Sequence, residues 1–349
     1  MTPRVSVIVP ARNEAGTIEA CLQSILAQRV EGGLEVIVAD GRSSDETAEL
    51  ARSLGARVVD NQERTTPAAL NAALAAAQGS IVLRFDAHGR MSPGYVEASV
   101  KALDEEPGAV GVGGWIEVEA NGPWGRAIGA VLGSRFGIGN ARSWRRPLPN
   151  QGRADVETVP FGSWPAQSLR AVGGWDQRFL RNQDFELNHR LRTNGGRIIF
   201  DPAVWSYYRP RESLSGLARQ YWDYGRFKAL TVATAPGSLR PRQVAPVLLL
   251  ATATTAALPT DFARAARGAL VAYGLVVTVV AATSRGGWRT VPVLVTIHGV
   301  WGAGLLAGLS NLAGRSILRR LRSTWTSLGL SERPSERRRS PPSWQRWLG

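Results

Sequence analysis

Val5-Ser6-Val7-Ile8-Val9-Pro10-Ala11-Arg12-Asn13-Glu14 is a β-branched run that breaks at Pro10 into a polar loop, and the place of that break decides how the rest is read. The run follows Arg4 directly and is too short for the apolar stretch of a signal peptide, so it reads as a buried strand. Ile18, Cys21, Leu22, Ile25 and Leu26 come next at helical spacing, which makes Cys21 a core residue rather than a nucleophile. Residues 34–39 form a second strand ending at Asp40-Gly41, and residues 45–54 a helix closed by Gly55 at its C′ position. Residues 57–59 read as a third strand, 68–77 as an Ala-rich helix and 80–85 as a fourth strand. Short β-branched runs alternating with longer amphipathic stretches are the pattern of βα units around a mostly parallel sheet.

Working outward, the 349 residues, 44% of them hydrophobic, are enough for one large or two ordinary domains with a substantial core. The single cysteine forbids an intrachain disulfide and leaves no CxxC pair, which fits reducing surroundings. A net charge of +14 invites a nucleic-acid reading, but +12 of it lies from Pro236 onward and +2 in the first 235 residues. Residues 315–349 alone hold nine arginines against Glu332 and Glu336. That is a local tail, and no nucleic-acid partner is expected.

Residues 244–258, 269–283 and 291–313 contain no Asp, Glu, Lys or Arg. A membrane helix needs about 20 apolar residues, or about 17 at the short end. Only the last run, at 23 residues, meets that length comfortably; with both ends expected on one side the crossings must be even in number, so two full spans plus one interfacial or re-entrant segment are expected. Arg315, Arg319, Arg320 and Arg322 would meet anionic headgroups on the cytoplasmic side. The division that follows is 1–110 and 111–235 for two halves of a soluble domain, 236–314 for hydrophobic helices and 315–349 for the Arg-rich tail. Residues 122–152, rich in Gly, Arg and Trp, read as a long loop with a short helix near 128–132. Gly111-Val112-Gly113-Gly114 lacks the GxGxxG spacing of a dinucleotide fingerprint.

In a doubly wound sheet, ligands sit beyond the carboxyl ends of the strands. Three strands end in chemistry: Pro10-Ala11-Arg12-Asn13-Glu14 after the first, Asp40 through Asp45 after the second, and Asp86-Ala87-His88 after the fourth. Asp40 suits an imide N–H of a base and Glu14 a base or ribose, with turn and N-cap roles as the alternative for Asp40 and Ser44. Asp86 and His88, two apart on an extended backbone, would point to one side and hold a cation, the alternative being a hydrogen-bonded turn. Carboxylate ligation suits Mg²⁺ or Mn²⁺.

These segments, with Gly173-Gly174-Trp175-Asp176, Asn182-Gln183-Asp184-Phe185-Glu186-Leu187 and Gln220-Tyr221-Trp222-Asp223-Tyr224-Gly225-Arg226, resemble family 2 glycosyltransferases over residues 4–230. The Asp-Ala-His form and the hydrophobic segments look most like the membrane-associated branch that serves succinoglycan and other exopolysaccharide synthesis. The resemblance implies an α/β GT-A domain, Rossmann-like with a mostly parallel central sheet, followed by membrane helices. It implies that Pro10, Ala11, Asn13, Glu14, Asp40, Arg84, Asp86 and Arg226 bind the nucleotide sugar. Asp86 would be the first aspartate of a DxD element, with His88 in place of the second, and both would ligate the divalent cation, Mn²⁺ or Mg²⁺.

Asp184 would be the base of an inverting transfer, with Asn182 as N-cap; the helix dipole lowers its pKa, while burial and Glu186 raise it. Arg219 and Arg226 would hold the leaving diphosphate, with Trp222 beneath the sugar or acceptor. Tyr208-Arg209-Pro210-Arg211 would face a lipid-linked diphosphate, and His189 and His298 are structural. The missing Arg-Trp pair after Gln220-Tyr221-Trp222 argues for one sugar per encounter. The expected partners are a nucleotide-diphosphate sugar, first of all a UDP-sugar, a lipid-linked saccharide and the cell membrane, with the catalytic domain cytoplasmic. A nucleotidyltransferase would need a Gly-rich triphosphate loop that residues 11–16 do not offer, and a scaffold with a degenerate site is the non-enzymatic alternative.

Overall fold

The computed structural model describes residues 2–138 and 142–327. The chain forms two units, one of Met1–Leu214 with Thr278–Leu294, the other of Ser215–Val277 with the chain from Val295 onward.

The first unit begins with β1 (Val5–Ala11), α1 (Ile18–Leu26), β2 (Leu34–Asp40), α2 (Thr47–Ser53), β3 (Arg57–Asp60), α3 (Thr66–Ala76) and β4 (Ile81–Arg84). It continues through β5 (Gly89–Met91), α4 (Tyr95–Glu105), β6 (Ala109–Val118), α5 (Gly122–Leu132), β7 (Ala154–Asp155), β8 (Ser163–Pro165), α6 (Ala166–Ala171), α7 (Gln183–Thr193) and β9 (Arg197–Tyr208). The strands make one sheet in the order β3-β2-β1-β4-β8-β6-β9-β5, with β7 added on β9. β3, β2, β1 and β4 are parallel, as is the β6–β9 pair, while β8 runs antiparallel to both of its neighbours.

β1 is apolar on both faces because both are covered. Val5, Val7 and Val9 pack with α1 and α4, whereas Ile8 packs with Ile37, Val82 and the α3 residues Leu70 and Ala73. Ile18, Cys21, Leu22 and Ile25 of α1 are fully buried. An aliphatic side chain so placed contributes about 1.5–3 kcal/mol. The Gly111–Gly114 run lies within β6, where a Cβ on Gly114 would come 1.6 Å from the Val204 carbonyl oxygen of β9. These glycines serve close backbone approach at a register shift between Gly113 and Trp115.

Residues 122–132, read from sequence as loop with one short helical stretch, are helical throughout in α5. Pro123 sits in its first turn, and Ala127, Ile128, Val131 and Leu132 are buried. The helix of residues 45–54 starts at Thr47 instead, because Asp45 Oδ1 accepts from the Thr47 amide (3.2 Å) and hydroxyl (2.5 Å) in the turn before it.

The second unit carries most of α8 (Leu214–Thr234), α9 (Pro241–Ala256), and the greater parts of α10 (Asp261–Thr283) and α11 (Thr290–Ser327). Gly304 and Gly308 of α11 let its backbone approach Trp222 and Arg226 of α8 directly. Tyr273 and His298 join α10 to α11 through a 2.9 Å hydrogen bond. Among the described residues, Asp261–Thr283 (23 residues) and Gly287–Gly314 (28 residues) are long and apolar enough to cross a membrane. The middle charge-free run of 15 reaches this length because its helix starts at Asp261, with Arg264 and Arg267 in its first two turns. α9, with 16 residues, spans about 24 Å, short of a hydrocarbon core of about 30 Å.

Candidate active site

At the carboxyl edge of the sheet, the register pairs Ala11 with Asp40 and Ile8 with Arg84. The loops after β1 and β2 interlock. The Asn13 amide donates to Ser43 Oγ (2.9 Å), Asn13 Oδ1 accepts from the Ser44 amide (2.8 Å), and the Glu14 amide donates to Thr47 Oγ1 (2.8 Å). Asn13 reaches this position with φ +54°, a left-handed conformation that asparagine tolerates. Asp40 lies in the turn that sequence offered as its alternative role, with Oδ2 accepting from the Ser43 amide (3.1 Å) and Oδ1 from its hydroxyl (2.5 Å). Pro10 is half-buried and Ala11 buried at the end of β1, between Asp40 on one side and β4 on the other.

One element beyond lies a buried charge cluster. Arg84, 4% exposed, pairs with Asp184 through Nη1 and with Asp86 Oδ1 through Nη2 at 2.8 Å. A single guanidinium thus joins Asp86, the first residue of the DxD-like element, to Asp184 in the first turn of α7. Burial pushes Asp184 above the ordinary carboxylate range, and the like charge of Asp86 adds to this against the pull of Arg84. Glu186, expected from sequence to raise Asp184, is instead paired with Arg190 at 2.5 Å; the like charge that acts on Asp184 is Asp86. Burial would also raise Asp86, but Arg84 and His88 together hold it low. His88 Nδ1 stands 3.5 Å from Glu14 Oε1. Burial disfavours the imidazolium, yet Glu14 and Asp86 outweigh it and raise the His88 pKa. Glu14 is lowered in return, held also by the Thr17 hydroxyl at 2.7 Å.

Asp86 and His88 do not share an extended strand: β4 stops at Arg84 and the Gly89 amide closes a turn on the Asp86 carbonyl at 2.9 Å. The two side chains still interact electrostatically. Asp86 Oδ2 and His88 Nε2 provide one carboxylate oxygen and one imidazole nitrogen, a set that fits a hard divalent cation completed by substrate oxygens. Among the described residues, no three His, Cys, Asp or Glu side chains form a self-sufficient metal cage.

Asn182 occupies the N-cap position of α7 but has φ +61° and makes no side-chain cap hydrogen bond. Arg219 and Arg226 lie on α8, in the second unit. Cys21 is fully buried, with Sγ 3.5 Å from the Asp86 carbonyl, and His189 stacks on Phe185. Three neighbours were missed or misplaced in sequence. Arg181 lowers Asp86, Arg211 acts on His88, and Trp175 lowers Asp184. Arg181 precedes Asp184 by three residues, which is the one signal that sequence offered for it.

Acidic side chains and their cationic partners thus gather at one strand edge of an α/β sheet. The description Glycosyl transferase family 2 fits residues 6–170. The succinoglycan biosynthesis protein ExoA of Rhizobium meliloti (strain 1021) is 31% identical over 262 residues, covering 69% of this chain and 75% of that protein. A PGL/p-HBAD biosynthesis glycosyltransferase of Mycobacterium bovis is 31% identical over 247 residues, covering 67% and 87%. The chain belongs to glycosyl transferase family 2. The mannosyltransferase PcManGT of Pyrobaculum calidifontis, solved in complex with GDP-Man and Mn2+, superimposes with a TM-score of 0.60 at 21% identity, covering 88% of each chain. That likeness is one of fold, the GT-A arrangement.

Proposed function

We propose that this glycosyltransferase moves one sugar per encounter, with inversion, from a nucleotide-diphosphate sugar, first of all a UDP-sugar, to a lipid-linked saccharide at the cytoplasmic face of the membrane. The observation that carries the reading is the Arg84 bridge, which ties Asp86 and Asp184 into one cluster. Asp40 lies two strands from β4, about 10 Å at ordinary strand spacing, a separation that a nucleoside diphosphate covers.

In this reading Glu14, Asn13 and Asp40, with Pro10 and Ala11, line the nucleotide end. Asp86 and His88 would hold a Mn²⁺ or Mg²⁺ ion, which would supply positive charge against the diphosphate. Arg181 and Arg211 add positive charge on the same side. Asp184 accepts the proton of the acceptor hydroxyl as that oxygen bonds to the anomeric carbon and the bond to the diphosphate breaks on the opposite face. A raised pKa brings this base nearer to working pH, where a general base is most effective. The apolar α10 and α11 support membrane attachment.

Asp184→Asn tests the assignment. Transfer from a panel of nucleotide sugars, with and without Mn²⁺, is expected to fall by about 10²–10⁴-fold while nucleoside diphosphate binding by calorimetry is retained. Unchanged turnover removes Asp184 from the mechanism. Absence of wild-type transfer or donor hydrolysis with every donor would favour a degenerate scaffold.

A further inference from the structure

The turn that joins α10 to α11 is built into the first unit. Ser284 Oγ and Thr290 Oγ1 are 2.7 Å apart across it, the Gly286 amide donates to Ser284 Oγ (3.2 Å), and Gly287 takes φ +58°. It lies against α5 so closely that a Cβ on Gly286 would come 2.8 Å from the Ala127 Cα. Trp288, 67% exposed, meets the half-exposed Trp124 of α5 edge-on with ring centroids 6.4 Å apart. The Arg289 guanidinium lies over both rings, 4.8 Å from Trp288 and 5.8 Å from Trp124. Arg285 and Arg126 are exposed beside them, and residues 284–290 contain no acidic side chain.

Two observations name the occupant of this corner. It stands where two apolar helices of membrane-crossing length begin and end, so the surface met by those helices continues across it. Its chemistry is that of the headgroup layer: amphipathic indoles with a polar edge, and arginines whose charge calls for phosphate. A packed protein partner would leave the adjoining α10 stripe of Val271, Leu275 and Val279, each more than 60% exposed, without an apolar phase. We infer that Trp124, Trp288, Arg285 and Arg289 seat the first unit on the headgroup layer of an anionic phospholipid bilayer and fix the depth at which its sheet edge meets the membrane. This rests on the membrane attachment proposed above, and with α10 and α11 as the two spans it puts the turn on the catalytic face and Gly314 on the other, against the cytoplasmic tail expected from the arginines.

The test uses the full chain with Thr283→Cys, an exposed position one residue before the turn. Cys21 does not compete for label, being fully buried with its thiol pushed far above the ordinary range by burial. After reconstitution into phosphatidylglycerol/phosphatidylcholine vesicles, a fluorophore at this site is expected to be quenched more strongly by headgroup nitroxides than by chain-end nitroxides. Brominated phosphatidylglycerol should quench it severalfold more than the same fraction of brominated phosphatidylcholine. The Arg285→Gln, Arg289→Gln double variant should bring that ratio to one, since two cations near an anionic surface enrich such lipids by up to about 30-fold. Vesicle-bound protein whose label stays aqueous, or whose lipid ratio survives the double variant, overturns the inference and leaves membrane attachment standing. Failure of the wild-type chain to float with vesicles overturns both.

Discussion

Replacing Arg84 with Gln removes the one cation shared by Asp86 and Asp184 and leaves two largely buried carboxylates facing each other. An opposite charge at contact distance lowers an aspartate by about 1–3 pKa units. Its loss should therefore raise Asp184 further. In the proposed reading Asp184 works as a base only when deprotonated, and burial already holds its proton above the ordinary range. The acid limb of kcat against pH is thus expected to start high in the wild type and to move further upward in Arg84→Gln, while Arg84→Lys recovers part of the shift. A carboxyl whose folded pKa is raised contributes stability that is present below its unfolded pKa and lost as pH rises through the folded value. The Gln variant should therefore be weakest, relative to wild type, at neutral pH where both carboxylates are ionised, and least affected in acid. Sugar transfer followed from pH 4 to 9, with thermal melts at both ends, measures both effects. A variant with a wild-type acid limb and wild-type melts would refute the idea that Arg84 governs the protonation of Asp184.

Two further substitutions address the scaffold. Gly114→Ala drives a methyl group into the Val204 carbonyl, a backbone atom that cannot swing aside; a loss of at least about 3 kcal/mol is expected by denaturant melts, and a near-neutral result would contradict the close β6–β9 approach. Asn188→Ala strips the fully buried Trp164 indole N–H of its acceptor at 3.0 Å and frees Thr158; about 1–3 kcal/mol should be lost, lowering Tm by about 2–4 °C for each, and an unchanged Tm would show that the indole finds another partner.

The N-terminal half of the sheet was legible because parallel strands buried on both faces must be apolar throughout and must end in polar loops. β1, β2 and β4 announced themselves in this way, and with them Glu14, Asp40 and Asp86. α5 was hidden because Gly122, Gly125 and Gly129 break up its apolar face, although Pro123 after Asn121 marked its start. The extended-strand argument for Asp86 and His88 failed because β4 ends two residues early, yet the turn that replaces it keeps both side chains in one field. The pairing of Arg84 was not legible: nothing local in Val82-Leu83-Arg84-Phe85 says that its partner lies 100 residues away on α7. The length of α10 was also obscured, since its first two turns carry Asp261, Arg264 and Arg267, and charge-free runs end where such side chains begin.

The knot of Asn13, Ser43 and Ser44 has an evolutionary corollary. Two loops that brace one another before any ligand arrives have little freedom left to lose on binding, so affinity comes at a small ordering cost. The same bracing makes re-aiming either loop expensive. If these loops hold the nucleotide as proposed, paralogues that switch from one nucleobase to another should keep this knot and vary the side chains around its rim.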